Sequence, residues 1–311
     1  MNTTSLTACP EKFLYQCDKL VSAREGRARP AMFFVSLTNR CQLGCSWCLY
    51  RDKDRGECLT LDEVMRFMAD SEKLGVKTWE LTGGGEPLLH PDIDRILDAL
   101  DGMGFAVGID TNGLALHEVA HPWRVRWIRV SLHAVGTPLE GKILDGIARI
   151  RDKVKTTGAF VVCRENMDRL PGLLKLAERH WLPVKVEPDY YAGFHEALAM
   201  RMEAERIIHG HGWVFIDPAV PAQLNSASWQ CHMHLMKPFL YTDGWVYSCP
   251  CAVGSGRGVE PRFRLCRMEH VVDFYRAPPM ALERGCRWCE YAEHNKIASQ
   301  ILNPSRDWEF C

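Results

Sequence analysis

Short apolar runs alternate with amphipathic stretches between residues 32 and 187. The runs are nearly continuous, as expected of strands buried on both faces of a parallel sheet. Between them, apolar residues recur at i, i+3, i+4 and i+7, as in Ile93, Ile96, Leu97 and Leu100, which is the spacing of one buried helical face. Thr60 and Glu63 have the spacing of a capping box at the start of the first helix. The predicted strands are residues 32–36, 78–81, 105–109, 127–130, 159–162 and 184–186. Six strand–helix units predict a parallel α/β sheet, either open and doubly wound or a whole or partial barrel.

The alternation stops after residue 187, and the rest of the chain has a different character. Residues 197–208 form an amphipathic helix by pattern, and the following segment is rich in Cys, Trp, Gly and Pro. Asp243-Gly244, between apolar residues 239–241 and 245–247, predicts a β-hairpin. We therefore expect three parts. These are an N-terminal extension (1–30), a barrel (31–190), and a linker helix with a small cysteine-rich, metal-organised module (191–311).

Composition narrows the class of protein. With 311 residues and 47% hydrophobic content, the chain can build a large core without disulfides. Its net charge of −1 offers no basic field for nucleic acid or an anionic membrane. The start of the sequence lacks a signal-peptide pattern, and no later stretch is long and apolar enough to span a bilayer, so we expect a cytoplasmic protein. The fourteen cysteines are then better explained as metal thiolates than as a disulfide framework.

Cys41, Cys45 and Cys48 follow the first predicted strand closely and have C-x3-C-x2-C spacing. Three soft thiolates suit an iron–sulfur cluster or zinc, and three rather than four leave one metal position open for a cofactor or substrate. A zinc knuckle is the alternative. The next strand ends in Thr82 and a Gly-Gly-Gly-Glu-Pro run, and further polar groups follow the third and fourth strands. Because the carboxyl ends of parallel strands meet at one mouth, we expect all of these groups to lie together there.

Residues 32–186 resemble the radical S-adenosylmethionine (radical SAM) superfamily. The resemblance rests on the cysteine spacing, on Trp47 before the last cysteine, and on the Gly-Gly-Glu element at residues 84–86. It implies a partial (βα)6 TIM-type barrel, with a 4Fe-4S cluster on the three cysteines and SAM bound to the open iron. It also implies that the residues contacting SAM are Trp47, Gly84, Gly85, Glu86, Asn112 and Ser131, and that His133 faces the substrate.

A second cysteine group lies beyond the barrel, and it resembles the twitch module, a shortened SPASM module, of radical SAM enzymes. The group comprises Cys231, Cys249, Cys251, Cys266, Cys286 and Cys289. The resemblance implies a second 4Fe-4S cluster, for which we predict Cys231, Cys251, Cys286 and Cys289 as ligands. Cys249 and Cys251 compete for one ligand position, and Cys266 is a further rival. The spare thiol could donate a hydrogen atom, and we assign that role to Cys249. A structural zinc ribbon is the alternative to a cluster.

The resemblance implies that a 5′-deoxyadenosyl radical takes a hydrogen atom from the substrate. Return of hydrogen by a thiol would make the enzyme an epimerase, whereas loss of an electron to the second cluster would make it a dehydrogenase. A peptide maturase and a non-catalytic cluster carrier are further alternatives. Glu187 and Asp189 end the sixth strand and would suit a polycationic sugar, and the chain is similar to radical SAM epimerases of aminoglycoside biosynthesis. The expected partners are a small aminoglycoside substrate and an electron donor such as flavodoxin or ferredoxin, with no nucleic acid or membrane.

Overall fold

The computed structural model describes residues 15–51, 53–189, 192–217, 222–223, 230–253, 261–282, 288–289 and 291–304. The strands are β1 Phe33–Val35, β2 Thr78–Leu81, β3 Ala106–Thr111, β4 Trp127–Ser131, β5 Lys155–Val162, β6 Val184–Pro188, β7 Val214–Ile216, β8 Ala222–Gln223, β9 Phe239–Leu240, β10 Trp245–Tyr247, β11 Arg264–Arg267 and β12 Trp288–Cys289. The helices are α1 Cys17–Arg24, α2 Leu61–Lys73, α3 Ile93–Gly102, α4 Glu140–Ile150, α5 Leu170–Arg179, α6 Phe194–Ile208, α7 Val271–Phe274 and α8 Ala292–Leu302.

Seven strands, β1 to β7, pair in parallel and in sequence order. On the other side of β1, β9 adds in parallel, and β10 and β11 continue the sheet as antiparallel strands. Among the described residues this ten-stranded sheet is open, with β7 and β11 at its two ends. The α/β class and the partial-barrel architecture predicted from the sequence are confirmed.

All six predicted strands are present, and their borders agree with the prediction to within two residues except at the start of β5. Strand β5 begins at Lys155, whereas the apolar pattern placed its start at residue 159. The sequence also missed β7, which pairs with β6. Its three residues, Val-Phe-Ile, are apolar, but they lie beyond residue 187, where the regular alternation of strands and helices stops.

The helices begin and pack as their patterns require. Thr60 Oγ1 accepts from the Glu63 backbone N–H at 3.3 Å, and the Glu63 carboxylate accepts from the Thr60 N–H at 2.7 Å, so the predicted capping box caps α2. The apolar stripe of α3 is buried against the sheet in one continuous core. A second apolar cluster joins α1, α8 and the cysteine-rich segment to the inner face of β1 and β9. No helix in the described ranges is long and apolar enough to cross a membrane.

The predicted hairpin forms around Asp243-Gly244, and it belongs to the sheet of the barrel. Gly244 has a φ of +77°, a backbone conformation that suits glycine. Phe34 of β1 pairs with Phe239 of β9, so the hairpin extends the barrel beside its first strand. The turn of the hairpin therefore lies at the same end of the sheet as the loop after β1, whereas the loop after β10, which carries Cys249 and Cys251, leaves from the opposite end of β9.

Candidate functional site

The inner face of the sheet carries charged residues on neighbouring strands. Trp79 and Leu81 of β2 pack against the helices, so Glu80 between them faces the other way, into the barrel. There Arg129 Nη2 of β4 lies 2.7 Å from Asp110 Oδ2 of β3 and 3.2 Å from Glu80 Oε1. Burial raises the pKa of Glu80 to about 7, and the nearby Asp110 carboxylate acts in the same direction. The three side chains form one buried ion triad across β2, β3 and β4.

A second triad lies on the last two strands of the barrel. Lys185 Nζ of β6 is 2.8 Å from Glu187 Oε2 and 3.0 Å from Asp217 Oδ2, which follows β7. Burial alone would lower the pKa of Lys185, but the Glu187 and Asp217 carboxylates raise it above its ordinary value. Each buried cation of the two triads is thus bound by two carboxylates.

The loop after β1 brings the three predicted cluster cysteines together. Burial raises the pKa of the Cys45 thiol to about 11, and the neighbouring Cys48 and Cys41 thiols contribute in the same direction. Among the residues with described positions, no trio of His, Cys, Asp or Glu is grouped as ligands of a single metal ion would be. Each cysteine of an iron–sulfur cluster binds a different iron, so cluster thiolates need not converge on one point. The interacting thiols are thus suited to a cluster.

Gly84 and Gly85 are required by their packing against the loop after β1. A Cβ on Gly84 would lie 1.7 Å from Asn39 Oδ1. A Cβ on Gly85 would meet only backbone, at 2.2 Å from the Arg40 carbonyl oxygen and 2.6 Å from the Thr38 carbonyl oxygen. The glycines therefore let the loop after β2 press directly on the loop that carries the cluster cysteines.

Glu86 is buried, and its carboxylate binds donors of this chain. Its Oε1 accepts from Thr111 Oγ1 at 2.7 Å and from the Leu88 N–H at 3.1 Å, and its Oε2 accepts from the Asn112 N–H at 2.6 Å. Burial raises the pKa of Glu86 to about 7, against the lowering effect of these hydrogen bonds. Through these hydrogen bonds, Glu86 links the loop after β2 to the loop after β3.

Trp47, predicted to contact SAM, and His133, predicted to face the substrate, are in contact with each other. Their ring centroids are 5.1 Å apart in an edge-to-face arrangement, and the ring centroid of Phe160 lies 5.6 Å from that of His133. Burial lowers the pKa of His133 to about 4, so its ring is neutral near pH 7. Trp47 Nε1 and His133 Nδ1 are both buried without a hydrogen-bond partner.

Asn112 reaches back from the end of β3 to the cysteine loop. Its Nδ2 donates to Gln42 Oε1 at 2.9 Å and lies 3.8 Å from Cys41 Sγ. Ser131, the other predicted SAM contact, is the last residue of β4, at the same end of the sheet. Asn112 therefore lies beside the predicted cluster loop, and the contact of both residues with SAM stays a prediction.

Five buried polar side-chain atoms at the mouth of the barrel have no hydrogen-bond partner among the described residues. The buried side-chain atoms without a partner there are Ser36 Oγ, Asn39 Oδ1, Trp47 Nε1, Asp110 Oδ1 and His133 Nδ1. Buried polar atoms are normally paired, so such a concentration is typical of a site for a polar ligand. The residues present are compatible with a cofactor that offers both donors and acceptors, as SAM does.

Four of the C-terminal cysteines share one apolar cluster. Cys231, Cys249 and Cys289 are buried there, and Cys251 is partly buried against it. The Asn295 carboxamide of α8 connects the segments of Cys231 and Cys289, because it lies 3.6 Å from Cys289 Sγ and 2.7 Å from the His232 backbone nitrogen. The predicted ligand Cys286 lies outside the described residues.

Cys266 is separated from this group. It lies on β11, opposite Val246, and packs on the core between the sheet and the helices. Burial raises its pKa to about 12, with a further contribution from Glu269. Because of this position, Cys266 is a less suitable cluster ligand or hydrogen-atom donor than Cys249 or Cys251.

Tyr50 connects the two cysteine-bearing loops. It lies two residues after Cys48, and its hydroxyl donates to the Pro250 carbonyl oxygen at 3.2 Å, between Cys249 and Cys251. Its ring stacks on Tyr241 of the hairpin, with centroids 6.2 Å apart and planes at 17°. Sequence reasoning missed Tyr50, because a contact across 200 positions leaves no local pattern.

The carboxylates predicted to receive the substrate differ in their environments. Glu187 is paired with Lys185, and Asp189 is half-buried just beyond β6. Asp110, near the end of β3, keeps one buried oxygen, Oδ1, without a partner among the described residues. Asp110 therefore adds a candidate substrate contact to the predicted pair.

Comparisons with known proteins concern the part of the chain that carries the cysteine loop. Residues 35–177, a little under half of the chain, match the model of the radical SAM superfamily. This superfamily uses a 4Fe-4S cluster and SAM, in agreement with the expectation from the cysteine loop.

Individual relatives share this part of the chain. A GTP 3′,8-cyclase from Staphylococcus saprophyticus is 35% identical over 115 residues, covering 32% of this chain and 33% of the relative. A probable GTP 3′,8-cyclase from Methanocella arvoryzae is 32% identical over 170 residues, covering 54% and 50%. This chain thus spans between a third and a half of these curated relatives. The crystal structure of Streptococcus suis SuiB bound to S-adenosylmethionine superposes with a TM-score of 0.61 at 14% identity, covering 88% of this chain and 72% of that one, which is a likeness of fold.

Proposed function

We propose that this protein is a radical SAM epimerase that inverts one carbon of an aminoglycoside and converts neomycin C to neomycin B, with Cys249 as hydrogen-atom donor. The observation that carries the proposal is the position of Cys249. This thiol is buried, and the neighbouring Pro250 is hydrogen-bonded to Tyr50 on the loop of the cluster cysteines. Tyr50 thus connects the segment of Cys249 to the loop of the predicted cluster cysteines, and this connection supports the proposed donor role.

With one electron from the proposed flavodoxin or ferredoxin, the cluster and SAM would supply methionine and a 5′-deoxyadenosyl radical, and the radical would take a hydrogen atom from one substrate carbon. The Cys249 thiol then gives its hydrogen atom to the opposite face of that carbon, so that a C–H bond forms, the S–H bond breaks and the centre inverts. The Cys249 sulfur radical needs one electron and one proton to become a thiol again. The proposed source of the electron is a flavodoxin or ferredoxin, acting through an auxiliary 4Fe-4S cluster on Cys231, Cys251, Cys286 and Cys289.

The charges inside the barrel support a cationic substrate. Arg129 and Lys185 are each bound by two carboxylates, so the two triads hold four carboxylates and two cations. Lys237 acts on Glu80 as a further cation, and Glu80 is only partly ionised near pH 7 because its pKa is about 7. The support for a cationic substrate therefore comes from the carboxylate partners of both buried cations and from Asp110. An ammonium group of an aminosugar could donate to the unpartnered Asp110 Oδ1.

The same charges argue against a nucleoside triphosphate, the substrate class that the name of the GTP 3′,8-cyclases suggests. Binding of several phosphates depends on cations or backbone donors that are available to the ligand. In this barrel the two buried cations already have carboxylate partners. The similarity to the cyclases covers only part of each chain, and it is compatible with a shared radical SAM domain that serves a different substrate.

The test is turnover of anaerobically reconstituted protein with SAM, dithionite and neomycin C in deuterated water. We expect neomycin B that carries one deuterium. Cys249→Ala should still form 5′-deoxyadenosine but no neomycin B, whereas Cys163→Ala, which removes another buried thiol, should behave as the unmodified protein. Asp110→Asn should raise the KM for neomycin C.

Three results would contradict the proposal. An oxidised product would identify a dehydrogenase instead. SAM cleavage stimulated by GTP and not by neomycin C would favour the cyclase class. Unlabelled neomycin B from wild type, or labelled neomycin B from Cys249→Ala, would exclude Cys249 as the donor.

A further inference from the structure

Asn295 is a buried polar residue at the centre of the proposed auxiliary-cluster region. It lies in the first turns of α8 and is 1% exposed. Its Nδ2 lies 3.6 Å from Cys289 Sγ and 3.2 Å from the Tyr291 carbonyl oxygen. Its Oδ1 lies 2.7 Å from the backbone nitrogen of His232, the residue after Cys231. One carboxamide therefore spans the segments that carry two proposed ligands.

The orientation of this carboxamide is fixed by its partners. The His232 backbone N–H can only donate and the Tyr291 carbonyl can only accept, so the oxygen of Asn295 must face His232 and its NH2 group must face Tyr291 and Cys289. The Cys289 sulfur is thereby presented with an N–H donor. Such a bond is stronger to a thiolate than to a thiol, because the acceptor is then charged.

We infer that Asn295 is the residue that holds Cys289 as a thiolate ligand and sets the reduction potential of the auxiliary cluster through an N–H···S hydrogen bond. The inference rests on the auxiliary cluster of the proposed function. Hydrogen bonds to cluster sulfurs withdraw electron density from the irons and stabilise the reduced, more negative state. Asn295 thus raises the potential at which the cluster accepts an electron.

The loop of the first cluster has a related contact. Asn112 Nδ2 lies 3.8 Å from Cys41 Sγ, and its orientation is also fixed, because Asn112 Oδ1 accepts from the Leu114 N–H at 2.9 Å. The described structure therefore places one oriented asparagine amide beside a proposed thiolate of each cluster.

A substitution can separate this role from a purely structural one. Asn295→Asp keeps the oxygen that accepts from His232 and replaces the amine that faces Cys289. Asn166→Asp is the matched control. Asn166 is equally buried, its Oδ1 accepts from the Cys163 N–H at 2.9 Å, and its Nδ2 donates to the Val161 carbonyl at 3.0 Å. Cys163 has no proposed ligand role.

The measurements are made in a background of Cys41→Ala, Cys45→Ala and Cys48→Ala, so that all remaining cluster iron belongs to the auxiliary site. After anaerobic reconstitution, iron and sulfide are counted and the midpoint potential is followed by EPR. We expect Asn295→Asp either to shift the potential to more negative values or to lose auxiliary iron, and Asn166→Asp to do neither. Unchanged iron and unchanged potential in Asn295→Asp would overturn the inference.

Spectroscopy of the unsubstituted residue keeps the test independent of folding defects. In the same background, with asparagine labelled by 15N, pulsed EPR of the reduced cluster should show one coupled asparagine nitrogen, and no coupling would refute the contact. A background protein that binds no iron at all would refute the auxiliary cluster itself. That failure is distinguishable from a cluster that binds but does not respond to Asn295.

Discussion

Replacement of Gly85 by alanine tests the packing of the two loops that build the cluster site. The added Cβ would lie 2.2 to 2.6 Å from three backbone atoms, the carbonyl oxygens of Arg40 and Thr38 and the carbonyl carbon of Asn39. A backbone cannot rotate away as the end of a flexible side chain can. The loop after β1 must therefore move, together with Cys41.

The expected decrease in the free energy of unfolding is at the upper end of the range for overpacked substitutions. Insertion of a methyl group into a well-packed region typically costs 1–3 kcal/mol, and contact with three backbone atoms places Gly85→Ala at about 3 kcal/mol. For a chain of this length, that corresponds to a melting temperature lower by about 5 °C. Gly172→Ala is the control, because Gly172 lies in α5 with nothing within 4 Å of the added Cβ. It should gain about 0.5–1 kcal/mol, since alanine favours the helix.

The assay is thermal unfolding of both variants, followed by iron counting after anaerobic reconstitution. We expect Gly85→Ala to melt earlier and to hold less first-cluster iron, while Gly172→Ala holds the wild-type amount. The reasoning would be refuted if Gly85→Ala melted as the wild type does, kept its iron and lost only SAM binding. Gly85 would then be required for the approach of the cofactor rather than for loop packing.

Two further predictions concern Tyr50 and Glu86. Tyr50→Phe keeps the stacked ring and removes the hydrogen bond to Pro250, which is worth about 1 kcal/mol. The number of 5′-deoxyadenosine molecules formed per epimerised product should therefore rise roughly fivefold. An unchanged ratio would exclude Tyr50 from donor positioning. The pKa of Glu86 is raised from 4.5 to about 7 in the folded protein, so the unfolded chain loses this proton first as the pH rises. The free energy of unfolding should therefore fall between pH 4.5 and about 7 and level off above pH 7. Denaturant titrations across this range should show a smaller fall for Glu86→Gln, by up to about 3 kcal/mol, and an identical pH profile would contradict the burial argument.

The strands and the cluster loop were predictable because their information is local. Apolar runs and the C-x3-C-x2-C spacing can be recognised within a few residues, and the strand-end rule then placed Asn112 and Ser131 at the same mouth. Glu86 shows the limit of this reasoning. Its position was predicted, but only the structure shows that its carboxylate accepts hydrogen bonds from the Thr111 hydroxyl and from the backbone N–H groups of Leu88 and Asn112.

Contacts that depend on register were beyond the sequence. Arg129 meets Asp110 because these residues are paired between β3 and β4, and a shift by one residue would turn one of them to the opposite face. Likewise, the separation of Cys266 from Cys249 follows from its place on β11, a strand that was not predicted from the pattern. The ion triads and the grouping of the cysteines therefore depend on the tertiary structure and could not be predicted from local sequence patterns.

The loop of the first cluster is held from two sides by the hairpin that follows the barrel. On one side, Asn39 Nδ2 donates to the Tyr241 hydroxyl at 2.9 Å, and on the other, Tyr50 bonds Pro250. Because β9 also pairs with β1, the segment that carries Cys249 cannot move independently of the loop that carries Cys48. Under the proposed function, the distance between the radical and the Cys249 thiol would depend on these contacts. The segment beyond the matched residues 35–177, which carries Cys249, would then decide which hydrogen the product receives.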